Sequence, residues 1–172
     1  MADNNMIPIM NARADAVAFI STGRKTSGKV RLKLKLKGHS EEVIAEVIRQ
    51  LTEEMRIDDL AYARDLIRSR KGKRSLSINA LRIRLSDAGL SRDSVSSALN
   101  EIHDIRQFEI NNARDLLNLK FGEKADRMLP SDTGEYKRLV SSMYRFLFSK
   151  GFGEEITGET IRRFMDDKRY DE

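Results

Sequence analysis

The segment from Gly23 to Lys29 reads GRKTSGK and resembles a phosphate-binding loop. Such loops cradle phosphates with backbone N–H groups and need Ser or Thr after the lysine to ligate magnesium, whereas Val30 stands there in this chain. No apolar strand ending in Asp follows to hold the metal, and no βαβ pattern surrounds the segment. The sequence therefore predicts a polar turn, with Ser27 capping the helix that follows.

Other residue types that support catalysis or metal binding are scarce. Cysteine is absent, which excludes disulfides, thiolate nucleophiles and cysteine-ligated zinc or iron–sulfur centres. The two histidines, His39 and His103, have no partner pattern for acyl transfer around them. The pair Asp58 and Asp59 is predicted to lie at the start of a helix, where carboxylates favour the first turn, rather than to bind a metal. We expect no catalytic residue, no metal and no cofactor.

Two basic clusters without acidic residues are the strongest surface signal. Seven Lys and Arg lie between Arg24 and Lys37, and seven more lie between Leu66 and Ser86. Unpaired like charges repel one another, which favours binding to phosphates or acidic side chains over a purely structural role, although a solvated surface is the alternative. The candidate binding residues are Lys29, Arg31, Lys33, Lys35, Lys37, Arg64, Arg68, Arg70, Lys71, Lys73, Arg74, Arg82 and Arg84.

The distribution of charge along the 172 residues points the same way. The formal net charge is +5, but residues 1–86 carry +8 and residues 87–172 carry −3. Such asymmetry suggests a polyanion or an acidic partner. Aromatic residues are only 6% of the chain, so contact with a nucleic-acid backbone or a protein is favoured over base-specific recognition. No apolar window is long enough for a membrane span and no signal peptide is evident, which predicts a cytosolic protein.

Helical periodicity dominates the elements that must position these residues. Three amphipathic stripes begin at capping residues, which are Ser40, Asp58 and Ser91. A second pattern, with two apolar residues four apart and a glycine four residues later, occurs three times. Its members are Val30, Leu34 and Gly38; Leu81, Leu85 and Gly89; and Met143, Leu147 and Gly151.

This recurrence predicts an all-α fold of three tandem three-helix repeats that pack end to end. The predicted divisions are a flexible tail at 1–12, repeats at 13–57, 58–105 and 106–167, a loop insertion at 122–135 within the third repeat, and a tail at 168–172. One segment conflicts with this prediction, because Lys29 to Lys37 alternates strictly, as a β-strand does. The repeat register favours a helix, with Val30 and Leu34 in the core and Leu32 and Leu36 partly exposed.

The central motif resembles that of the RecX regulatory proteins. It comprises Asp58, Asp59, Tyr62, Ala63 and Arg64, then Gly72, the helix Ile78–Leu85 ending at Gly89, and Val95 with Ala98 and Leu99. The flanks are similar too: Ser27, Val30, Leu34, Gly38 and Glu42 to Ile44 resemble the first unit of that family, and Phe146, Leu147, Gly151, Phe152 and Ile156 resemble its third. The resemblance covers about residues 13–165 and assigns a structural role to Asp58, Asp59, Tyr62, Ala63 and Gly89.

The resemblance implies that the repeats form an elongated, curved, right-handed helical array. It also implies a non-enzymatic bacterial modulator of the RecA recombinase. Such a protein binds RecA–DNA filaments, restrains their extension and reduces ATP hydrolysis and strand exchange by RecA. We expect a monomer whose contact with DNA is weak and indifferent to sequence. Two alternatives stay open: a helix-turn-helix transcription regulator that prefers one duplex sequence, and a helical scaffold with no nucleic-acid connection.

Overall fold

The protein is helical throughout the part of the chain that the structure describes. A computed structural model describes residues 6–127 and 133–170; within these ranges it has one short 3-10 turn, Gly72–Arg74, and no β-strand. The predicted all-α fold class is confirmed. The helices are α1 (Met6–Ile20), α2 (Ser27–Leu36), α3 (Glu41–Glu53), α4 (Asp59–Arg68), α5 (Ile78–Asp87), α6 (Arg92–Asn100), α7 (Ile105–Asp126), α8 (Thr133–Ser149) and α9 (Glu154–Tyr170).

The alternating lysine-rich tract forms helix α2, as the repeat register predicts, and not a strand. Val30 and Leu34 are fully buried, whereas Leu32 and Leu36 are 58% and 77% exposed. A strand would place all four even-numbered side chains on one face, but a helix separates them. Burial of one face against α1 and α3 therefore outweighs the local alternation.

Predicted caps begin three of the helices. Ser40, Asp58 and Ser91 each accept a hydrogen bond from the backbone N–H three residues later, at the starts of α3, α4 and α6. At the start of α2 the prediction is wrong, because the cap is Thr26 and not Ser27. Thr26 has the extended backbone of a cap residue, whereas Ser27 is already the first residue of the helix.

The described chain forms two compact units. Unit 1 contains residues 6–66 and 84–98, and unit 2 contains residues 67–83, 99–127 and 133–170. The division between the units runs through the second predicted repeat, 58–105. The repeat boundaries therefore stay a prediction.

Each unit buries a cluster of apolar side chains. In unit 1 the cluster joins α1, α2 and α3 and consists of Ala12, Ala16, Val30, Leu34, Val43, Ile44, Val47, Leu51 and Ile57. In unit 2 it joins α7, α8 and α9 and is centred on Ala113, Leu117, Leu139, Met143, Leu147 and Phe164. Removal of this apolar surface from water is the main stabilising contribution in each unit.

The predicted N-terminal tail is wrong for residues 6–12, which form the first turns of α1. Ala12 is fully buried and Ile9 packs against the same core, so this stretch gains stability from packing. Pro8 lies in the first turn, where its missing N–H would have had no partner within the helix. The rest of the predicted tail lies outside the described residues.

The predicted loop insertion at 122–135 is shorter than expected. Helix α7 continues to Asp126 because Phe121 and Ala125, four residues apart, both pack into the core of unit 2. Helix α8 begins at Thr133, and residues 128–132 lie outside the described residues. The predicted tail at 168–172 is wrong as well, since α9 extends to Tyr170; residues 171–172 are not described.

Candidate partner and nucleic-acid interface

Helix α2 presents the first predicted basic cluster to solvent. Its five candidate side chains are all exposed: Lys29, Arg31, Lys33, Lys35 and Lys37. Three of them have acid partners from outside the acid-free sequence window. Arg31 and Lys35 bind the two carboxylate oxygens of Glu41 at 2.8 and 3.1 Å. The ammonium group of Lys37 lies 2.5 Å from a carboxylate oxygen of Asp15.

These contacts stabilise the charged forms of both carboxylates. The pKa of Glu41 lies below its usual value, chiefly because Lys35 donates a hydrogen bond to it. The pKa of Asp15 is lowered first by the hydrogen bond from Lys37 and then by that from His39, whose Nε2 lies 2.9 Å away. Most of the positive charge at this edge of α2 is therefore balanced within unit 1.

Lys29 and Lys33 differ from their neighbours on α2. Neither ammonium group pairs with a carboxylate among the side chains that the structure describes. The Nζ atom of Lys33 lies 6.0 Å from the centre of the Phe19 ring. Two of the five α2 cations thus have no described acid partner, and Arg31 and Lys35 share a single carboxylate.

The second predicted cluster does not form one helical stripe. Their spacing predicts that Arg64, Arg68 and Lys71 share a face of a single helix, but α4 ends at Arg68. The chain then turns at Gly72, whose φ of 58° is a left-handed conformation that favours glycine. This prediction is therefore wrong for Lys71, which belongs to the turn that follows α4.

The turn at residues 70–76, which we call the basic turn, is attached to α7. The backbone N–H of Gly72 and the hydroxyl of Ser75 both donate to the carboxylate of Asp115, at 2.9 and 3.2 Å. Asn112 donates its side-chain amide to the carbonyl of Leu76 at 2.9 Å. From this turn three cations project into solvent: Lys71, Lys73 and Arg74.

None of these three side chains pairs with an acidic residue of the described ranges. Arg70 differs from them because it is half-buried and its Nε atom has no hydrogen-bond partner within those ranges. Arg82 and Arg84 are exposed on α5, where Arg82 donates to Asn79 at 3.2 Å. Of the candidate residues, the three cations of the basic turn are therefore exposed, near one another in the chain and without a described acid partner.

The residues of the central motif hold helices together. Asp58 caps α4, and Asp59 accepts hydrogen bonds from the backbone N–H and the hydroxyl of Ser27, at 2.8 and 2.6 Å. Ala63 is fully buried and Tyr62 is half-buried. The motif thus fixes the start of α4 against the start of α2.

Gly89 completes this contact within unit 1. Its φ of 88° forms the turn between α5 and α6, and a Cβ atom on Gly28 would lie 2.7 Å from the Cα atom of Gly89. The hydroxyl of Thr26 donates to the carbonyl of Ala88. We call the contacts among Thr26, Ser27, Asp59 and Ala88 the first junction.

Unit 2 contains an equivalent set of contacts, the second junction. Ser77 donates its hydroxyl to the carbonyl of Lys150 at 3.0 Å, and the backbone N–H of Ile78 donates to Glu109 at 3.0 Å. As in the first junction, the accepting carbonyl precedes a left-handed glycine, here Gly151 with a φ of 82°. The sequence analysis did not find either junction. The tripeptide Ala-Arg-Asp occurs at residues 63–65 and again at 113–115, and a search for a carboxylate four residues before each copy would have found Asp59 and Glu109.

The first junction also excludes the phosphate-binding loop. Thr26 and Ser27 use their hydroxyl groups within the junction. The carboxylate of Asp59 occupies the start of α2, where a nucleotide phosphate would otherwise bind. Across the described residues, no three His, Cys, Asp or Glu side chains are grouped as a metal site requires.

The sequence is similar to proteins named regulatory protein RecX. It is 30% identical over 167 residues to the one from Clostridium botulinum (strain Alaska E43 / Type E3), which covers 97% of this chain and 74% of that protein. It is 26% identical over 167 residues to the one from Prosthecochloris aestuarii, with 97% of each chain covered. No family model matches the sequence.

Two solved structures share the fold. The crystal structure of RecX from Lactobacillus salivarius has a TM-score of 0.74 at 19% identity and covers 91% of this chain and 96% of its own. A crystal structure described as regulatory protein RecX has a TM-score of 0.70 at 18% identity, covering 95% and 74%. None of the described helices combines the length and apolar composition that crossing a membrane requires.

Proposed function

This chain belongs to the RecX family, and on that premise we propose that it is a non-enzymatic negative regulator of the RecA recombinase in the cytoplasm. It binds RecA–DNA filaments and inhibits their extension, ATP hydrolysis by RecA and strand exchange. The observation that carries the proposal is the 30% identity to a regulatory protein RecX over 97% of the chain.

The proposal includes three tandem three-helix repeats at 13–57, 58–105 and 106–167. The two junctions support this organisation, because they fix the starts of α2 and α5 in the same way. Each junction uses a hydroxyl donor and a carboxylate acceptor. Neighbouring repeats in such arrays stabilise one another through recurring contacts of this kind.

The basic turn is the part of the predicted interface that we assign to the filament. Its cations at Lys71, Lys73 and Arg74 have no described acid partner, whereas three of the five α2 cations pair with Glu41 or Asp15. Each exposed ionic contact contributes only about 0–1 kcal/mol. Binding therefore requires several contacts together and weakens as salt screens them.

Co-sedimentation with RecA filaments on single-stranded DNA tests this assignment. We expect the wild-type protein to pellet with filaments, and K71Q/K73Q/R74Q to bind about tenfold more weakly, which corresponds to about 1.4 kcal/mol. The control R49Q/R114Q/R127Q removes the same charge from arginines that are paired with acids. Equal losses in the two variants would show that only net charge matters and would contradict the assignment.

A further inference from the structure

Two phenylalanine rings, one in each compact unit, are each approached by two lysines. Around Phe19 in unit 1, the Nζ atoms of Lys25 and Lys33 lie 5.2 and 6.0 Å from the ring centre. Around Phe146 in unit 2, those of Lys120 and Lys150 lie 4.1 and 5.6 Å away. An aromatic ring attracts one ammonium group, but two ammonium groups beside the same ring repel each other.

Nothing in the described ranges balances these charges. No described carboxylate forms an ion pair with any of the four lysines, and three of them are exposed while Lys25 is half-buried. Arg31 and Lys35 on the same helix α2 share the carboxylate of Glu41 instead. The two lysine pairs are therefore positioned by aromatic rings and lack an anion.

Both sites occupy the same register of the helical pattern. Phe19 and Lys120 each follow a fully buried alanine of a first helix by seven residues. Lys33 and Phe146 each follow a fully buried side chain of a second helix by three residues. The buried reference residues are Ala12, Val30, Ala113 and Met143.

Both sites therefore pair a lysine with a phenylalanine at the same two helix positions. The lysine of one site stands where the other site has its phenylalanine. Arg70 and Arg84 occupy the corresponding two positions of the second predicted repeat. A position pair that holds at least one cation in all three repeats is typical of a surface that contacts a polymer with regularly spaced charges.

We propose that the Phe19 and Phe146 sites each bind a phosphate group of single-stranded DNA. A phosphodiester carries two non-bridging oxygens, so it accepts a hydrogen bond from each ammonium group of a pair. The ring holds the ammonium groups over it and limits the conformations that the lysines lose on binding. This inference rests on the proposed function for the identity of the polyanion, and it names the side chains that contact it.

Anisotropy of a labelled oligothymidylate over a series of salt concentrations tests the proposal on the full-length chain without RecA. Each phosphate contact contributes about 0.7 to the slope of log affinity against log salt for a single strand. We expect K25Q/K33Q and K120Q/K150Q each to lower the slope by about 0.7, because each site holds one phosphate group. The control R49Q/R114Q removes two arginines that are paired with acids, and its slope should stay at the wild-type value.

The conservative variant K120R/K150R keeps both charges and should restore the slope, which separates loss of phosphate contacts from loss of fold. Slopes for both Lys-to-Gln variants equal to that of the control would overturn the proposal. The proposal would also be overturned if the Lys-to-Gln variants lost binding to polyglutamate but bound oligothymidylate as the wild type does. The sites would then bind an acidic protein. A reduced slope without inhibition of RecA by the wild-type protein would support these sites and reject the proposed function.

Discussion

Gly28 and Gly122 both lie within helices, but their surroundings differ. A Cβ atom on Gly28 would collide with the backbone of Gly89, which has no side chain that could move away. A Cβ atom on Gly122 meets no described atom within 4 Å outside its own helix. We expect Gly28→Ala to lower the free energy of unfolding by about 1–3 kcal/mol. Gly122→Ala should raise it by up to about 1 kcal/mol, because alanine favours helix.

Urea denaturation of the two variants measures both effects, and each variant serves as the control of the other. If Gly28→Ala unfolded at the same urea concentration as the wild type, the close approach of α2 to the turn after α5 would be wrong.

Glu46 gives a prediction about pH. Its pKa is lowered from 4.5 to about 2, first by hydrogen bonds from Arg49 and then by one from Gln50. A lowered pKa in the folded protein means that the stabilising contribution is present above about pH 4.5 and is lost as the pH falls towards 2. We expect the Glu46 carboxylate to titrate near pH 2 by carbon-detected NMR. In Arg49→Gln its midpoint should move up towards 4.5, and an unchanged midpoint would contradict the assigned cause.

The positions of Lys and Arg in the sequence predicted where positive charge lies, but not which carboxylates pair with it. The acid-free windows correctly placed exposed cations on α2, yet three of them pair with Glu41 of α3 or Asp15 of α1. Such partners are separated from the cluster along the chain and meet it only after the helices pack. For the same reason, the sequence did not predict the contact between Asp115 and the basic turn.

At the scale of the elements, helix α2 decides between two periodicities. Leu34 is fully buried and Leu36 is 77% exposed. We expect Leu34→Ala to lower the free energy of unfolding by about 2–5 kcal/mol, because it leaves a cavity in the core. Leu36→Ala should change it by no more than about 0.5 kcal/mol. Denaturation by urea distinguishes this from a strand, in which both side chains would share one face and both substitutions would cost similar amounts.

Helix positions were predictable from sequence, and helix ends were less so. Apolar spacing and capping residues gave α3, α4 and α6 with their starts at Ser40, Asp58 and Ser91. Composition alone misjudged the start of α1 and the end of α7, since it predicted a tail up to residue 12 and a loop from residue 122. Packing of Ala12 and Ala125 into the cores extends both helices beyond those residues.

At the scale of the whole molecule, the repeated apolar spacing predicted the helices better than it predicted the division of the chain into compact units. The cores of the two units lie in the first and third predicted repeats. Residues of the second predicted repeat are shared between the units. Local periodicity specifies which face of a helix is apolar, but it does not specify which neighbouring helices will cover that face.

The rate of ATP hydrolysis by RecA on single-stranded DNA is the measurement that tests the proposed function most directly. Adding the purified wild-type protein in increasing amounts should reduce the hydrolysis rate progressively, with the protein itself hydrolysing no ATP in the absence of RecA. An unchanged rate at a stoichiometric excess of the protein over RecA, under low-salt conditions, would contradict the proposed function.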